Sequence, residues 1–139
     1  MRWLFSSPAK IDHTRIAEAL RRVEERTSAE IRILVARHMA ADPLAAAQRH
    51  FDRMGMSKTR DRSAVLIFVA PRSRTFAVVG DQGVHEKCGD LFWKELALAM
   101  GAEFKRGDFT AALLHGIERA GALLAEHFPA KQDREPRRS

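Results

Sequence analysis

The chain has 139 residues, of which 45% are hydrophobic and 30% charged, with a net charge of +6. This size and balance fit one soluble globular domain with its own core. Nucleic-acid binding is not expected, because the basic residues are scattered among acidic ones. The single cysteine excludes an internal disulfide framework. No stretch reaches the ~18 apolar residues of a membrane span, and no signal peptide is recognisable, so a cytoplasmic location is expected.

The first part of the chain predicts a helix followed by a strand. Asp12 is a suitable N-cap, and apolar residues recur at helical spacing up to about Thr27. The buried positions expected on this helix are Ile16, Leu20 and Val23. The segment from Glu30 to His38 alternates apolar and polar residues, which is typical of a strand. Its apolar face is expected to carry Ile31, Ile33 and Val35.

A second helix is predicted to begin at Asp42-Pro43. Aspartate is a preferred cap, and proline is favoured at the first helical position. Gly55 is placed to end this helix. The apolar residues expected to form its buried stripe are Leu44, Ala47, Phe51 and Met54.

Two neighbouring strands are predicted between residues 63 and 80. Ser63 to Ala70 is a near-continuous apolar run, which is typical of a strand buried on both faces. Thr75 to Val79 is again apolar and β-branched. The connection Pro71 to Arg74 is too short for a parallel crossover, so strands near 63–70 and 74–80 should form an antiparallel hairpin. The core positions expected in this hairpin are Leu66, Phe68 and Val78.

The hairpin leads into a glycine-rich corner, Gly80-Asp81-x-Gly83. Glycine permits backbone conformations that a Cβ atom disfavours, so we expect a positive φ at Gly80 or Gly83. The tight bend should expose Asp81 at the edge of the sheet, where α/β proteins tend to place their sites.

Two more helices are predicted after the corner. The first should run to about Met100 and bury Cys88, Leu91, Leu96 and Ala99. Asp108 should cap the last helix. The repeated apolar positions of that helix are Phe109, Leu113, Ile117, Ala120, Leu124 and Phe128. The order α-β-α-β-β-α-α favours a mixed sheet covered by helices on both faces.

Four acidic residues near the corner form the candidate site: Asp61, Asp81, Glu86 and Asp90. The spacing of Glu86 and Asp90 places both carboxylates on one face of a helix. Clustered carboxylates suit Ca²⁺ or Mg²⁺, which prefer oxygen ligands. Alternatively, the acids simply decorate a helix N-terminus, where the helix dipole favours them. Without an ion, we expect the carboxylates to be solvated or paired with Arg60 or Arg62.

Two further side chains near the corner have alternative interpretations. His85 is either a ligand or general acid, or a solvent-exposed histidine. Cys88 is either a buried structural thiol or a nucleophile. The chain contains no phosphate loop, Gly-x-Ser-x-Gly elbow, Cys-x-x-Cys or His-Glu-x-x-His motif. No familiar enzyme motif therefore identifies a reaction.

Several short motifs, in this order and spacing, resemble the TPM domain family. They are Glu24-x-x-Thr27-x-x-Glu30-Ile31, the strand Ala64 to Val69, Arg74, Gly80-Asp81-x-Gly83-Val84-His85, Phe104-x-x-Gly107-Asp108-Phe109, Gly116-Ile117 and His127-Phe128-Pro129. The last three resemble the short cytosolic bacterial branch of the family. The resemblance implies a three-layer α/β/α sandwich over residues 11–129, with an N-terminal extension (1–10) and a flexible charged tail (130–139).

The functional implications of the resemblance remain broad. Some family members bind Ca²⁺ or Mg²⁺ through acidic residues, a plant member is described as an acid phosphatase, and others have binding roles. Bacterial members often accompany LemA-type membrane proteins. We therefore expect an accessory or protein-interaction module, with a metal-dependent phosphatase of broad specificity as the alternative. Many members carry a secretion signal and a C-terminal membrane helix, and we expect neither for this protein. The sequence also has Arg62-Ser63 where many members have Asn-Gly or a similar pair.

Overall fold

The computed structural model describes residues 11–130. Its helices and strands, in chain order, are α1 (His13–Glu24), β1 (Glu30–Val35), α2 (Pro43–Arg53), β2 (Ala64–Ala70), β3 (Thr75–Gly80), α3 (Gln82–Arg106) and α4 (Phe109–His127). Short 3₁₀ turns lie at Met56–Lys58 and Pro71–Ser73. The predicted extension (1–10), and the predicted tail apart from Ala130, lie outside the described residues. No helix within 11–130 has both the length and the apolar character needed to cross a membrane.

The three strands form one mixed sheet in the order β1-β2-β3. β1 and β2 are parallel, and β2 and β3 are antiparallel. At the centre of the sheet, Ile67 lies between Ile33 of β1 and Val78 of β3. The predicted hairpin, and the placement of the first strand in the same sheet, are therefore confirmed.

The central strand β2 is buried along its whole length. Its alternate side chains enter two separate cores, because successive residues of a strand point to opposite faces. Val65, Ile67 and Val69 pack with residues of α1, α3 and α4. Leu66 and Phe68 pack on the other face with residues of α2. The protein is therefore an α/β/α sandwich, as predicted.

The three aspartates predicted from the sequence to cap helices do so. Asp12, Asp42 and Asp108 each accept a hydrogen bond at Oδ1 from the backbone N–H of the residue three positions later, at 3.1, 3.1 and 3.2 Å. Such bonds satisfy amide groups that the first helical turn leaves without partners. Gly55, which follows the Met54 C-cap of α2, has a left-handed φ of 69°, as expected of a glycine that ends a helix.

The buried stripe predicted for α2 is only partly correct. Ala47 and Phe51 are buried, but Leu44 and Met54 are 58% and 37% exposed. The buried face is instead formed by Ala46, Ala47 and Phe51. The sheet thus contacts the alanine-rich side of α2, and tertiary packing rather than side-chain size decides which face is covered.

The stripe predicted for α3 fails at Leu91, which is 60% exposed. The cause is Gly89, whose φ of 70° and ψ of −169° interrupt the helix. Helical spacing cannot be counted across this kink, so Cys88 and Leu91 do not share a face. Phe92 is buried in place of Leu91, while Leu96 is buried as predicted. In β3, Val78 is only half-buried, because β3 is an edge strand.

Candidate functional site

The glycine corner joins the end of β3 to the start of α3. Asp81 is the N-cap of α3 and accepts a hydrogen bond from the Gln82 N–H at 2.8 Å. The Asp81 N–H donates to the Ala64 carbonyl at 2.9 Å, and the Gly83 N–H donates to the Arg62 carbonyl at 2.8 Å. These bonds hold the entry of β2 beside the exit of β3, as expected of an antiparallel hairpin.

The predicted reason for the corner glycines is wrong, because neither Gly80 nor Gly83 has a positive φ. Both are needed for close approach instead. A Cβ atom on Gly83 would overlap the backbone carbonyl oxygens of Asp61 and Arg62, and one on Gly80 would overlap the Trp93 ring. Arg62 itself has the left-handed conformation, with φ of 52°. Trp93 packs against this end of the sheet.

The Arg62 side chain covers the Asp81 carboxylate and is hydrogen-bonded to it. The Arg62 Nε donates to Asp81 Oδ2, and its Nη2 donates to Oδ1, both at 2.7 Å. The Asp81 side chain is only 6% exposed, so the expectation that the bend exposes it is wrong. The tight turn brings Arg62 over the carboxylate, and a paired guanidinium is the state expected for Asp81 in the absence of an ion.

The pair also stabilises the ionised state of both groups. The hydrogen bonds from Arg62 hold the pKa of Asp81 below its usual value, against the opposing effect of burial. The same hydrogen bonds, and the charge of Asp81, raise the pKa of Arg62. The negative charge of Glu86 adds to this effect on Arg62. Asp81 therefore stays an acceptor-only carboxylate with its oxygens already engaged.

The other predicted acids do not gather around Asp81. Glu86 is exposed and accepts a hydrogen bond from Gln82 Nε2 at 3.0 Å. Asp61 and Asp90 are also exposed, and the Gly89 kink separates Asp90 from Glu86, so the predicted shared helical face is wrong. Within residues 11–130, no three His, Cys, Asp or Glu side chains form a group able to hold a metal ion. This arrangement does not fit a divalent cation, and the metal assignment stays a prediction.

The two remaining candidates near the corner show no sign of activation. His85 is exposed, and its ring centroid lies 4.8 Å from that of Trp93. Cys88 is half-buried, and burial raises the pKa of its thiol. A raised pKa reduces the thiolate that a nucleophile needs. This environment favours the structural interpretation of Cys88.

A groove at the opposite end of the sheet was missed by the sequence analysis. It has a volume of about 620 Å³ and lies where the parallel strands β1 and β2 end. Ligands of α/β proteins commonly bind beyond the carboxyl ends of parallel strands. The residues that form its floor and rim include Leu34, Ala46, Phe68, His50, Arg37 and Arg49. The sequence signal that could have found it is the pair of neighbouring basic residues, Arg37 and His38, in the short segment after β1.

The fold and its capped corner define a small α/β/α domain. The TPM domain family model matches residues 7–123, and the chain therefore belongs to the TPM domain family. The chain is 34% identical to the BA42 protein of the psychrophilic bacterium Bizionia argentinensis, whose NMR structure superposes with a TM-score of 0.80. The match covers 95% of this chain and 88% of that one.

A more distant likeness shows the fold alone. The N-terminal domain of the cg2496 protein from Corynebacterium glutamicum is 15% identical, with a TM-score of 0.66. This match covers 89% of this chain and 84% of that domain. No curated protein matches the chain. The family predicted from the motifs is thus confirmed, and its function has to be argued from the molecule.

Proposed function

We propose that the chain is an accessory module that binds a protein partner in the groove at the carboxyl ends of β1 and β2. The observation that carries this proposal is the groove itself, a concave surface of about 620 Å³ with an apolar floor and a cationic rim. Its volume lies in the range typical of binding clefts, roughly 300–1,000 Å³.

The floor of the groove suits an apolar segment. Phe68 is 2% exposed and stacks with His50, with ring centroids 5.8 Å apart. Met39 lines the groove and is 67% exposed, and Leu44, on the adjoining helix α2, is 58% exposed. Exposed apolar side chains around a cleft are a feature of interaction sites, and the flexible methionine adapts to different surfaces.

The rim of the groove gives the expected charge of the partner. Arg37 and Arg49 line it, and neither forms an ion pair with another residue of the described range 11–130. The one acid in the lining, Asp42, uses a carboxylate oxygen to cap α2. The groove therefore suits an apolar segment flanked by acidic residues.

A second cavity, of about 490 Å³ between α1 and α4, makes a weaker case. Its lining alternates arginines with glutamates, for example Arg15, Glu18 and Arg22. Balanced charges of this kind favour neither an acidic nor a basic ligand. The rim of the β1–β2 groove carries positive charge, which makes this groove the more selective of the two.

The Arg62–Asp81 pair supports a binding role over the alternative of a phosphatase. Phosphoryl transfer needs a nucleophile or an activated water, together with cationic groups that face the phosphoryl group. Asp81 is the buried carboxylate of the corner, and its two oxygens accept hydrogen bonds from Arg62. An assay with a generic phosphomonoester, with Asp81→Ala alongside, tests this alternative. A wild-type rate that this variant abolishes would favour the phosphatase.

The binding proposal is tested with a LemA-type membrane protein from the same organism, the partner that the family resemblance implies. Biolayer interferometry with the partner's cytosolic region should show binding to the wild-type chain. The double variant Arg37→Glu/Arg49→Glu should weaken this binding at least tenfold, because it reverses the charge of the rim. The matched control is Leu98→Gln, which alters an apolar side chain on α3 that is 81% exposed.

The two variants distinguish binding in the groove from binding on the exposed face of α3. Unchanged affinity of the double variant, with binding lost in Leu98→Gln, would place the partner on α3 and contradict the groove. Absence of binding by the wild-type chain would refute a LemA-type partner. Circular dichroism of each variant checks that the fold is retained.

A further inference from the structure

We infer that the partner binds as an extended strand, which adds antiparallel to the outer edge of β1 and carries acidic residues just before an apolar run. The inference rests on the proposed function, because it takes the groove as the binding surface, and it adds how the partner is held. The feature that carries it is the position of an unpaired strand edge directly beside the cationic rim of the groove.

The first support is the place of β1 in the sheet. The strand order is β1-β2-β3, so within residues 11–130 only one side of β1 pairs with another strand. The Ala36 N–H donates to the Val69 carbonyl at 2.8 Å, which directs the backbone of Ala36 towards β2. Because the backbone groups of successive strand residues alternate in direction, those of Ile33 and Val35 point away from β2. Such a row of outward N–H and C=O groups is a template for another strand.

The second support is that the chain on either side of β1 does not cover this edge. Before β1, the Ser28 N–H donates to the Phe128 carbonyl at 2.9 Å, but the strand itself begins only at Glu30. After β1, the chain turns towards the β2–β3 connection, where the Ala40 N–H donates to Ser73 Oγ at 3.4 Å. Neither segment runs along the outer edge of β1.

The third support is the character of the side chains of β1. Edge strands are commonly protected from further pairing by charged residues or proline. The charged residues of β1 are Glu30 and Arg32, which pair with each other at 2.7 Å in the first half of the strand. The second half, Ile33 to Val35, is apolar and only half-buried, whereas every residue of β2 is buried. An added strand would cover these side chains and extend both cores.

The charges along β1 give the direction of the added strand. The ion pair at the start of β1 is balanced, whereas Arg37 and Arg49 line the groove beyond its end. Antiparallel pairing is slightly more stable per residue than parallel pairing. The N-terminal end of an antiparallel partner strand lies beside the carboxyl end of β1. The acidic residues of the partner should therefore precede its apolar run.

The test uses a short fluorescein-labelled peptide in which glutamates precede a run of alternating valine and threonine. Fluorescence polarisation should show saturable binding to the wild-type chain. Methylation of the peptide's backbone nitrogens, one at a time, should weaken binding about fivefold or more at every second position, because only alternate residues of an added strand donate to β1. A peptide with the glutamates after the apolar run should also bind more weakly.

Ile33→Pro is the matching change in the protein. Proline lacks the N–H group, and it is tolerated on an edge strand where that group faces away from the sheet. The variant should bind the peptide about fivefold or more weakly, while Ile33→Val, which keeps the donor, should bind it like the wild-type chain. Circular dichroism checks the fold of both variants. If Ile33→Pro does not fold, the peptide methylation series decides, since it leaves the protein unchanged.

Three results would overturn the inference. Absence of peptide binding would show that the edge of β1 does not accept a strand of this kind. Methylation effects without a two-residue period would show that the peptide is held by its side chains alone. A concentration-dependent dimer of the wild-type chain, abolished by Ile33→Pro, would mean that a second copy occupies the edge.

Ile33→Pro also separates strand addition from other modes of binding in the groove. The LemA-type cytosolic region could lose affinity for Arg37→Glu/Arg49→Glu yet bind a folded Ile33→Pro normally. The groove proposal would then stand and strand addition would be wrong. If the peptide shows the alternating pattern while the LemA-type region does not bind, strand addition stands and the LemA-type partner is wrong.

Discussion

Replacing Gly83 by alanine tests the packing of the corner most directly. Gly83 lies in the first turn of α3 with a negative φ, so alanine fits its backbone conformation. The added Cβ atom would meet the Asp61 carbonyl oxygen and would lie 2.7 Å from the Arg62 oxygen and 3.1 Å from the Arg62 carbonyl carbon. These are backbone atoms, which cannot rotate away as a flexible side chain can.

The size of the effect follows from three contributions to the free energy of unfolding. Alanine in place of glycine favours a helix by about 0.5–1 kcal/mol. Overpacking against atoms that cannot move costs about 1–3 kcal/mol. Moving α3 away from Arg62 would also weaken the Gly83 N–H to Arg62 carbonyl bond of 2.8 Å, which contributes about 1 kcal/mol. Gly83→Ala should therefore destabilise the protein by about 1–3.5 kcal/mol.

Gly101→Ala is the matched control, since Gly101 lies in the same helix with open space around its Cβ position. This variant should stabilise the protein by about 0.5–1 kcal/mol. Urea denaturation followed by circular dichroism measures both changes. Equal effects of the two substitutions would refute the close approach of α3 to the Asp61–Arg62 backbone.

The remaining predictions concern the core, the ion pair and the thiol. Phe68→Ala should destabilise by about 3–5 kcal/mol in urea denaturation, with Leu98→Ala nearly neutral as the control; a loss below about 1 kcal/mol would mean that Phe68 is not a core residue. The lowered pKa of Asp81 stabilises the fold above the unfolded-state pKa, so this contribution should be lost as pH falls below about 4. Acid titration of stability should therefore be flatter for Asp81→Asn, and identical slopes would contradict the ion pair. Cys88 should react with iodoacetamide at pH 7 more slowly in the folded than in the urea-unfolded chain, because burial raises the pKa of its thiol; equal rates would contradict its burial.

Local sequence signals predicted much of the fold because they act over a few residues. The caps at Asp42 and Asp108 depend on hydrogen bonds to amides three positions away. The run from Ser63 to Ala70 is apolar at nearly every position, so its burial does not depend on which face meets which helix. The apolar repeat of α4 is correct because no kink interrupts that helix.

The errors arose where distant contacts override the local pattern. The kink at Gly89 changes which residues of α3 face the sheet, and a glycine within a helical pattern does not reveal this. A positive φ was the predicted reason for glycine at position 83. The actual reason is the close approach of α3 to the backbone of Asp61 and Arg62. Asp81 is buried rather than exposed because the hairpin returns the chain to its starting edge and brings the Arg62 side chain over the carboxylate. The groove could not be predicted because it depends on the parallel pairing of β1 and β2, which the sequence alone leaves undetermined.

The glycine corner and the groove lie at opposite ends of the central strand. The corner is tied to Ala64 at the start of β2, whereas the groove contacts Phe68 near its end. A strand rises about 3.3 Å per residue, so these two positions are separated by roughly 13 Å. Substitutions that far apart, without shared partners, usually have additive effects. Arg62→Gly removes both hydrogen bonds to Asp81 and should therefore lower the stability, while the affinity for a partner in the groove stays unchanged. A large change in that affinity would show that the rigid β2 strand couples the two ends.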